Sequence, residues 1–195
     1  MIRIKPKREP KSFDAQVRQP GKRYLQSLAP GETPSWPSHV QYWRQSMESL
    51  HDAYGGICAY LCQYIGIEAA TVDHFVPKSV QRSLAYEWSN YRLCSFRVNS
   101  TKKERPVVDP FRVKPGTFCI DWSDGSVYVS KSVRRGKYRT LCEKTIEILA
   151  LNRNGYCKTR LKTFGEYQRG EVSDAWLQRN CPFIWEELGR RGLKV

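Results

Sequence analysis

The chain has 195 residues and a formal net charge of +14, with a sequence pI of about 9.6. That length suits one domain with extensions or two small domains, and so large a cationic excess points to a polyanionic partner, of which a phosphate backbone is the commonest. No apolar run is long enough to cross a bilayer, and the basic residues 1–8 carry no apolar segment of the kind export requires, so a cytoplasmic protein without a membrane partner is expected.

Residues 1–37 read as a basic, proline-rich arm. Positions 1–26 hold eight Lys or Arg against two acids. Pro6, Pro10, Pro20, Pro30, Pro34 and Pro37 interrupt any helix or strand there. Two readings stand side by side: an arm lying along nucleic acid or a partner, and an extended segment wrapped on its own domain. Residues 38–54 then read as a helix. Ser38 is placed to cap it after Pro37. Trp43, Met47, Leu50 and Tyr54 recur at three- and four-residue steps, and Gly55-Gly56 ends it. His51 on this helix has no expected role. Residues 57–67 form a compact apolar turn whose Tyr60, Leu61, Tyr64 and Ile65 fill core.

The chemistry is concentrated in the next stretch. Residues 69–75 read as a strand, and Asp73-His74 sets a carboxylate beside an imidazole. Neighbours on a strand point to opposite faces, so both serve one site only if the strand ends or bends there; Pro77 fits such an end. Residues 80–88 make an excursion with about one helical turn, residues 91–95 are a second strand, and residues 96–104 begin a helix that Pro106 stops. Asp73 and the side-chain carbonyl of Asn99 offer the oxygen ligands that a hard divalent cation prefers. His74 titrates near neutral pH and suits a general base. Each residue also has a plain structural reading: a hydrogen-bonded Asp-His pair, Asn90 as turn or cap, Asn99 as the cap of a helix starting near Ser100, and Lys102 and Lys103 as a solvated face.

After Pro106 the pattern changes. Residues 107–111 are extended, and residues 117–121 and 126–130 flank Asp124-Gly125, a hairpin signal. A basic loop over residues 131–139 has five Lys or Arg among its nine positions, Arg134 and Arg135 included. Residues 141–151 read as a helix with Leu141, Thr145, Ile148 and Leu149 on one face. Residues 156–168 read as another, with Arg160 and Lys162 outward. Trp176, Phe183, Trp185 and Leu188 dock residues 174–188 on the body.

Taken together, Asp73-His74-x-x-Pro77-x-Ser79, then Asn90, then Asn99-x-x-Lys102, with the segment Ala85-Tyr86-Glu87-Trp88-Ser89-Asn90-Tyr91-Arg92-Leu93-Cys94, resemble the HNH endonucleases. Asn90 lies 16 residues after His74 and Asn99 nine after Asn90. The resemblance covers about residues 55–104 and implies their ββα-metal unit. It implies Asp73 and Asn99 as ligands of Mg²⁺ or Mn²⁺ and His74 as the base. Asn90 belongs to the same catalytic set by pinning the loop between the strands, and Lys102 by facing a phosphate. Lys78 and Lys103, with Arg134 and Arg135 of the basic loop, are the expected nucleic-acid contacts. Many HNH proteins hold a structural zinc on two Cys-x-x-Cys pairs. Here Cys58 and Cys62 are one residue too far apart and Arg97 stands where the fourth thiolate belongs, so structural zinc is not expected. The seven cysteines, an odd number, read as buried apolar residues.

The expected architecture is α+β. A basic arm (1–37) precedes a nuclease core with its leading helix (38–105), and a hairpin and helical extension (106–195) packs on that core. The expected activity is metal-dependent hydrolysis of phosphodiester bonds, in DNA before RNA. No separate DNA-reading module is legible, so the flanks or a protein partner such as an ATPase choose the target. By family-level analogy the setting is anti-phage defence. The rivals are an RNA-cleaving nuclease and a non-catalytic nucleic-acid-binding protein, the latter opposed by the retention of Asp73, His74 and Asn99.

Overall fold

A computed structural model describes residues 1–194. Two short strands, β1 (Ala70–His74) and β2 (Tyr91–Ser95), pair antiparallel in a register running from Ala70↔Ser95 to His74↔Tyr91. Every residue of β2 is buried. Arg92 is tolerated there because its guanidinium pairs with Asp109 at 2.9 Å and stacks 3.5 Å from the Phe111 ring centroid. A helix, α3 (Phe96–Lys102), leaves β2 directly, and Ser95 caps it by accepting from the Val98 N–H at 3.3 Å. The cap is therefore Ser95, and Asn99 lies inside the helix. Lys103 ends it at φ +50°, a conformation that L side chains seldom adopt.

Residues 1–37 are not a loose arm. Met1, Phe13 and Val17 are buried in the same hydrophobic core as Tyr91 and Leu93. The extended start is stitched down by Ile4 N–H to Pro110 O, Lys7 N–H to the Tyr54 hydroxyl, and Trp88 Nε1–H to Lys7 O. Pro20 does not prevent a helix after this start. A π-helical turn, Asp14–Arg18, runs into α1 (Gln19–Ser27) with Pro20 inside it. A proline ring in a regular helix collides with the carbonyl four residues back. The wider turn, closed by Gln19 N–H to Asp14 O, re-spaces those carbonyls. Arg18 gathers Glu9, Asp14 and Glu87, the last at 2.9 Å from the loop between β1 and β2. Gly21 lets that loop approach: a Cβ there would stand 2.1 Å from Tyr86 Cγ.

Residues 38–54 are not one helix either. Two 3₁₀ turns, Ser38–Val40 and Tyr42–Ser46, lead into α2 (Met47–Ala53). Gln41, at φ −83° and ψ 52°, breaks the run. The break frees the Val40 carbonyl to accept from the Tyr86 hydroxyl at 2.8 Å, and Gln41 Nε2 donates to Trp36 O at 2.6 Å.

The C-terminal half pairs β3 (Phe118–Ile120) with β4 (Val127–Val129) around Asp124-Gly125, where Gly125 sits at φ +76°. Helices α4 (Lys137–Ile148), α5 (Asn154–Gln168), α6 (Asp174–Asn180) and α7 (Pro182–Arg191) complete the chain. α4 starts inside the expected basic loop. Arg160 faces inward rather than outward. Its guanidinium donates to Gly125 O and Leu151 O, both at 2.6 Å, which satisfies carbonyls left over at the hairpin turn and the end of α4. Buried Glu187 accepts from Ile120 N–H at 2.9 Å and joins α7 to β3. The cysteines are all free thiols, six of them buried. Among the described residues no helix is long and apolar enough to cross a membrane.

Gly21 supplies a test of this packing by the sign of its effect. Alanine in place of glycine inside a helix ordinarily stabilises by about 1 kcal/mol. Against the Tyr86 ring the added methyl overpacks, at a cost of about 1–3 kcal/mol. Gly21→Ala should therefore lower the thermal midpoint; a rise would mean that α1 does not lie on Tyr86.

Candidate active site

β1 ends at His74, and the chain turns away through Phe75 and Pro77. That ending lets two consecutive side chains, Asp73 and His74, line one cavity of about 430 Å³, to which α3 contributes Asn99. Lys78, Trp36 and Trp43 complete much of the remaining lining.

Asp73 is 2% exposed and anchored at both oxygens. Oδ2 accepts from the Tyr60 hydroxyl at 2.5 Å, and Oδ1 accepts from Lys102 Nζ at 3.0 Å. Lys102 is itself 0% exposed and also reaches the His74 carbonyl at 3.4 Å. Lys102 thus neutralises a buried carboxylate and does not open onto the cavity, where the resemblance puts a phosphate contact. Tyr60 fills core, as its sequence pattern predicts, and also holds the carboxylate; nothing in its apolar sequence neighbours signals that second role.

His74 lies between aromatic neighbours, with Trp43 at 5.0 Å and Tyr91 at 5.1 Å between ring centroids, both T-shaped. Its Nε2 stands 2.8 Å from the Ala85 carbonyl. A carbonyl only accepts, so Nε2 carries the hydrogen and, in the neutral ring, Nδ1 keeps the lone pair. No hydrogen bond engages Nδ1 among the described residues. Burial, reinforced by the nearby Lys78 and Lys102 ammonium groups and only partly opposed by the Ala85 bond, drives the imidazole from 6.5 down to about 3. At neutral pH it is an uncharged acceptor.

Asn90 lies off this cavity. Its Oδ1 accepts from Val76 N–H at 2.8 Å, and its Nδ2 donates to Val76 O at 3.0 Å and Leu84 O at 3.1 Å. Three of its four hydrogen-bonding positions hold Val76 and Leu84 of the loop between the strands, so it shapes the site rather than touching it. Lys78 is half-buried, its Nζ 4.6 Å from the Trp43 ring centroid and 5.6 Å from that of Trp36. Burial holds its pKa below the usual lysine value, with Asp73 and Glu104 pulling it back up. Lys103 is exposed at the rim. Arg134 and Arg135 are not brought here; they line a separate cleft with Lys114 and Lys137. Trp36, Gln41, Trp43 and Arg44 are lining residues with no sequence signal for that role, because the pattern places the first in an arm and the others within a helix.

The donor set fits a hard cation of modest affinity. Asp73 oxygens each keep a lone pair beyond the hydrogen bond they accept, and the Asn99 side-chain amide makes no hydrogen bond among the described residues. One carboxylate and one amide oxygen match the way Mg²⁺ is held, with waters and substrate phosphates supplying the rest. No cluster of three or more His, Cys, Asp or Glu able to cage a metal occurs among the described residues.

Two measurements test the charge arrangement. Breaking a buried ion pair from one side costs about 3–5 kcal/mol, so Lys102→Met should be strongly destabilising, and Asp73→Asn combined with it should recover much of the loss. Additive effects in chemical denaturation would mean that the two groups do not pair. The second concerns pH. The folded-state pKa of His74 lies below its unfolded value, so between about 6.5 and about 3 the unfolded chain binds more protons. Stability from this residue is complete above pH 6.5 and is lost as pH falls toward 3, at up to about 1.4 kcal/mol per pH unit. His74→Gln should flatten that part of the stability profile relative to wild type; parallel profiles would place the imidazole in water.

The chain matches no protein-family model, no curated protein and no solved structure, so what the cavity can do rests on its own chemistry.

Proposed function

We propose that this protein hydrolyses phosphodiester bonds of nucleic acid, DNA in the first instance, with a divalent cation bound at Asp73 and Asn99. One observation carries the reading: a neutral histidine, tautomerically fixed by a backbone carbonyl, shares a cavity with a carboxylate and a free amide oxygen on a strand–strand–helix unit. The resemblance of Asp73-His74, Asn90 and Asn99-x-x-Lys102 to the HNH pattern supports it, as does the charge of +14.

In this reading His74 Nδ1 takes a proton from the attacking water as its oxygen bonds to phosphorus and the bond to the leaving oxygen breaks. The Ala85 carbonyl keeps the imidazole in the tautomer that can do so. Asp73 and Asn99 would hold Mg²⁺ or Mn²⁺, which would supply positive charge to the phosphate and the leaving oxygen. Lys78 and Lys103 attract the polyanion to the mouth of the cavity. Asn90 holds the loop that carries Pro77 and Lys78.

Purified protein should nick or cut DNA with Mg²⁺ or Mn²⁺ and be silent in chelator. His74→Ala should lose about 10²–10⁴-fold in rate. Asn99→Ala should be partly rescued by more metal, and Asn90→Ala should lower thermal stability without changing the metal requirement; Asp73→Ala should lose both activity and stability, because it also leaves Lys102 buried without its partner. Wild-type rates for His74→Ala would discard the assignment. Binding without cleavage of DNA or RNA under any of these conditions would favour a non-catalytic nucleic-acid-binding protein.

A further inference from the structure

Beside the active cavity lies a second one of about 440 Å³, and the two have only Trp36 and Lys78 in common. Those two side chains therefore form a partition, lined on one side by Asp73, His74 and Asn99 and on the other by Pro34, Val80 and Arg82. The partition is built firmly. Gln41 Nε2 holds the Trp36 carbonyl at 2.6 Å, and the indole makes T-shaped contacts with Tyr24, Trp43 and Tyr86 at 5.8–6.1 Å. Arg82 fixes the outer wall by donating to Glu32 O at 2.9 Å, and the Glu32 carboxylate is engaged by Ala29 N–H. Lys78 has no carboxylate within ion-pair distance among the described residues, only the two tryptophan rings beneath its ammonium.

The second cavity thus offers an indole, a proline ring and the 72%-exposed Val80 for a flat apolar group, and Lys78 and Arg82 for an anion at its edge. A nucleobase with its phosphate has that composition. A base inside a continuous duplex is covered on both faces by its neighbours and cannot lie against an indole. An unpaired base can, and aromatic stacking of this kind is indifferent to sequence.

We propose that the Trp36–Lys78 partition is a nucleotide subsite, taking the unpaired nucleotide next to the phosphate in the active cavity. The protein accordingly favours single-stranded or locally opened nucleic acid over continuous duplex. This rests on the phosphodiesterase reading and names the substrate class of that same site.

Fluorescence anisotropy in chelator, with the full chain and a labelled oligothymidylate or a labelled blunt-ended duplex of two annealed strands, tests it. Wild type should bind the single strand more tightly. Trp36→Leu should weaken single-strand binding by roughly 5- to 150-fold, the equivalent of about 1–3 kcal/mol for stacking one base, with little change on the duplex, and Trp36→Phe should restore most of the loss. Because Trp36 also packs against its neighbours, Val80→Glu gives an independent arm: it alters an exposed wall and should select against the single strand in the same way. Equal losses on both probes, or none in either Trp36→Leu or Val80→Glu, would overturn the subsite, and metal-dependent cutting abolished by His74→Ala would then still stand by itself. Failure of wild type to bind or cut either nucleic acid would overturn both.

Discussion

The ion pair between Asp73 and Lys102 is the constraint on which the rest of the site depends. Both groups are out of water, and each forfeits several kcal/mol of hydration that only good geometry and further hydrogen bonds can offset. Those bonds come from the Tyr60 hydroxyl, contributed by the turn before β1, and from the His74 carbonyl at the end of it. Sliding α3 along the strands would leave a buried charge unpaired, so the helix is fixed against β1 at that point. The position of Asn99 is a consequence. It precedes Lys102 by three residues on α3, and side chains three apart share a helix face. Pinning Lys102 to Asp73 therefore carries Asn99 to the cavity that Asp73 lines.

The basic nitrogen depends on a more distant part of the chain. His74 keeps its tautomer through Ala85, whose carbonyl also accepts from the Tyr91 hydroxyl. The loop carrying Ala85 is held from outside by residues 1–27: Tyr86 lies on Gly21, Glu87 pairs with Arg18, and Trp88 bonds Lys7 and packs edge-on against Phe13. A segment whose charge suggests only an attraction to polyanions is thus a buttress for the imidazole, and its removal would disturb the core before it disturbed any electrostatic footprint.

This division explains which features are legible in the sequence. The first strand is legible because a short apolar run ends at Pro77, and α3 because Pro106 stops the run that follows the second strand, although its cap, Ser95, is not the Asn99 that the sequence offers. The convergence of Asp73, His74 and Asn99 is legible only through their order and spacing. The N-terminal helix is hidden because Pro20 argues against one, and the π turn that accommodates it has no local sequence signature. The break at Gln41 is hidden because Trp43, Leu50 and Tyr54 do turn inward, as a continuous helix would have them; tertiary demands from Tyr86 and Trp36 interrupt it without changing that pattern. Arg160 and Lys102 look like solvated charges until the carbonyls and the carboxylate they serve are brought beside them.

The balance of charge in the cavity bears on how a cation would be held there. Its lining includes Arg44, Lys78 and Lys103 against the carboxylates of Asp73 and Glu104, and Lys102 already neutralises the first of these. Such a lining is net positive before any metal arrives, so the protein alone offers a dication little electrostatic stabilisation. In the proposed reading a phosphodiester would supply the missing negative charge and two further oxygen donors, the ligand type that Mg²⁺ prefers. Binding of the cation and of the substrate would then favour each other, and by linkage the gain would be reciprocal: whatever factor the phosphate added to metal affinity, the metal would add to phosphate affinity. Lys102 therefore has two consequences. It lets Asp73 persist as a buried carboxylate in the absence of a cation, and it makes the proposed site depend on substrate to become a good metal site.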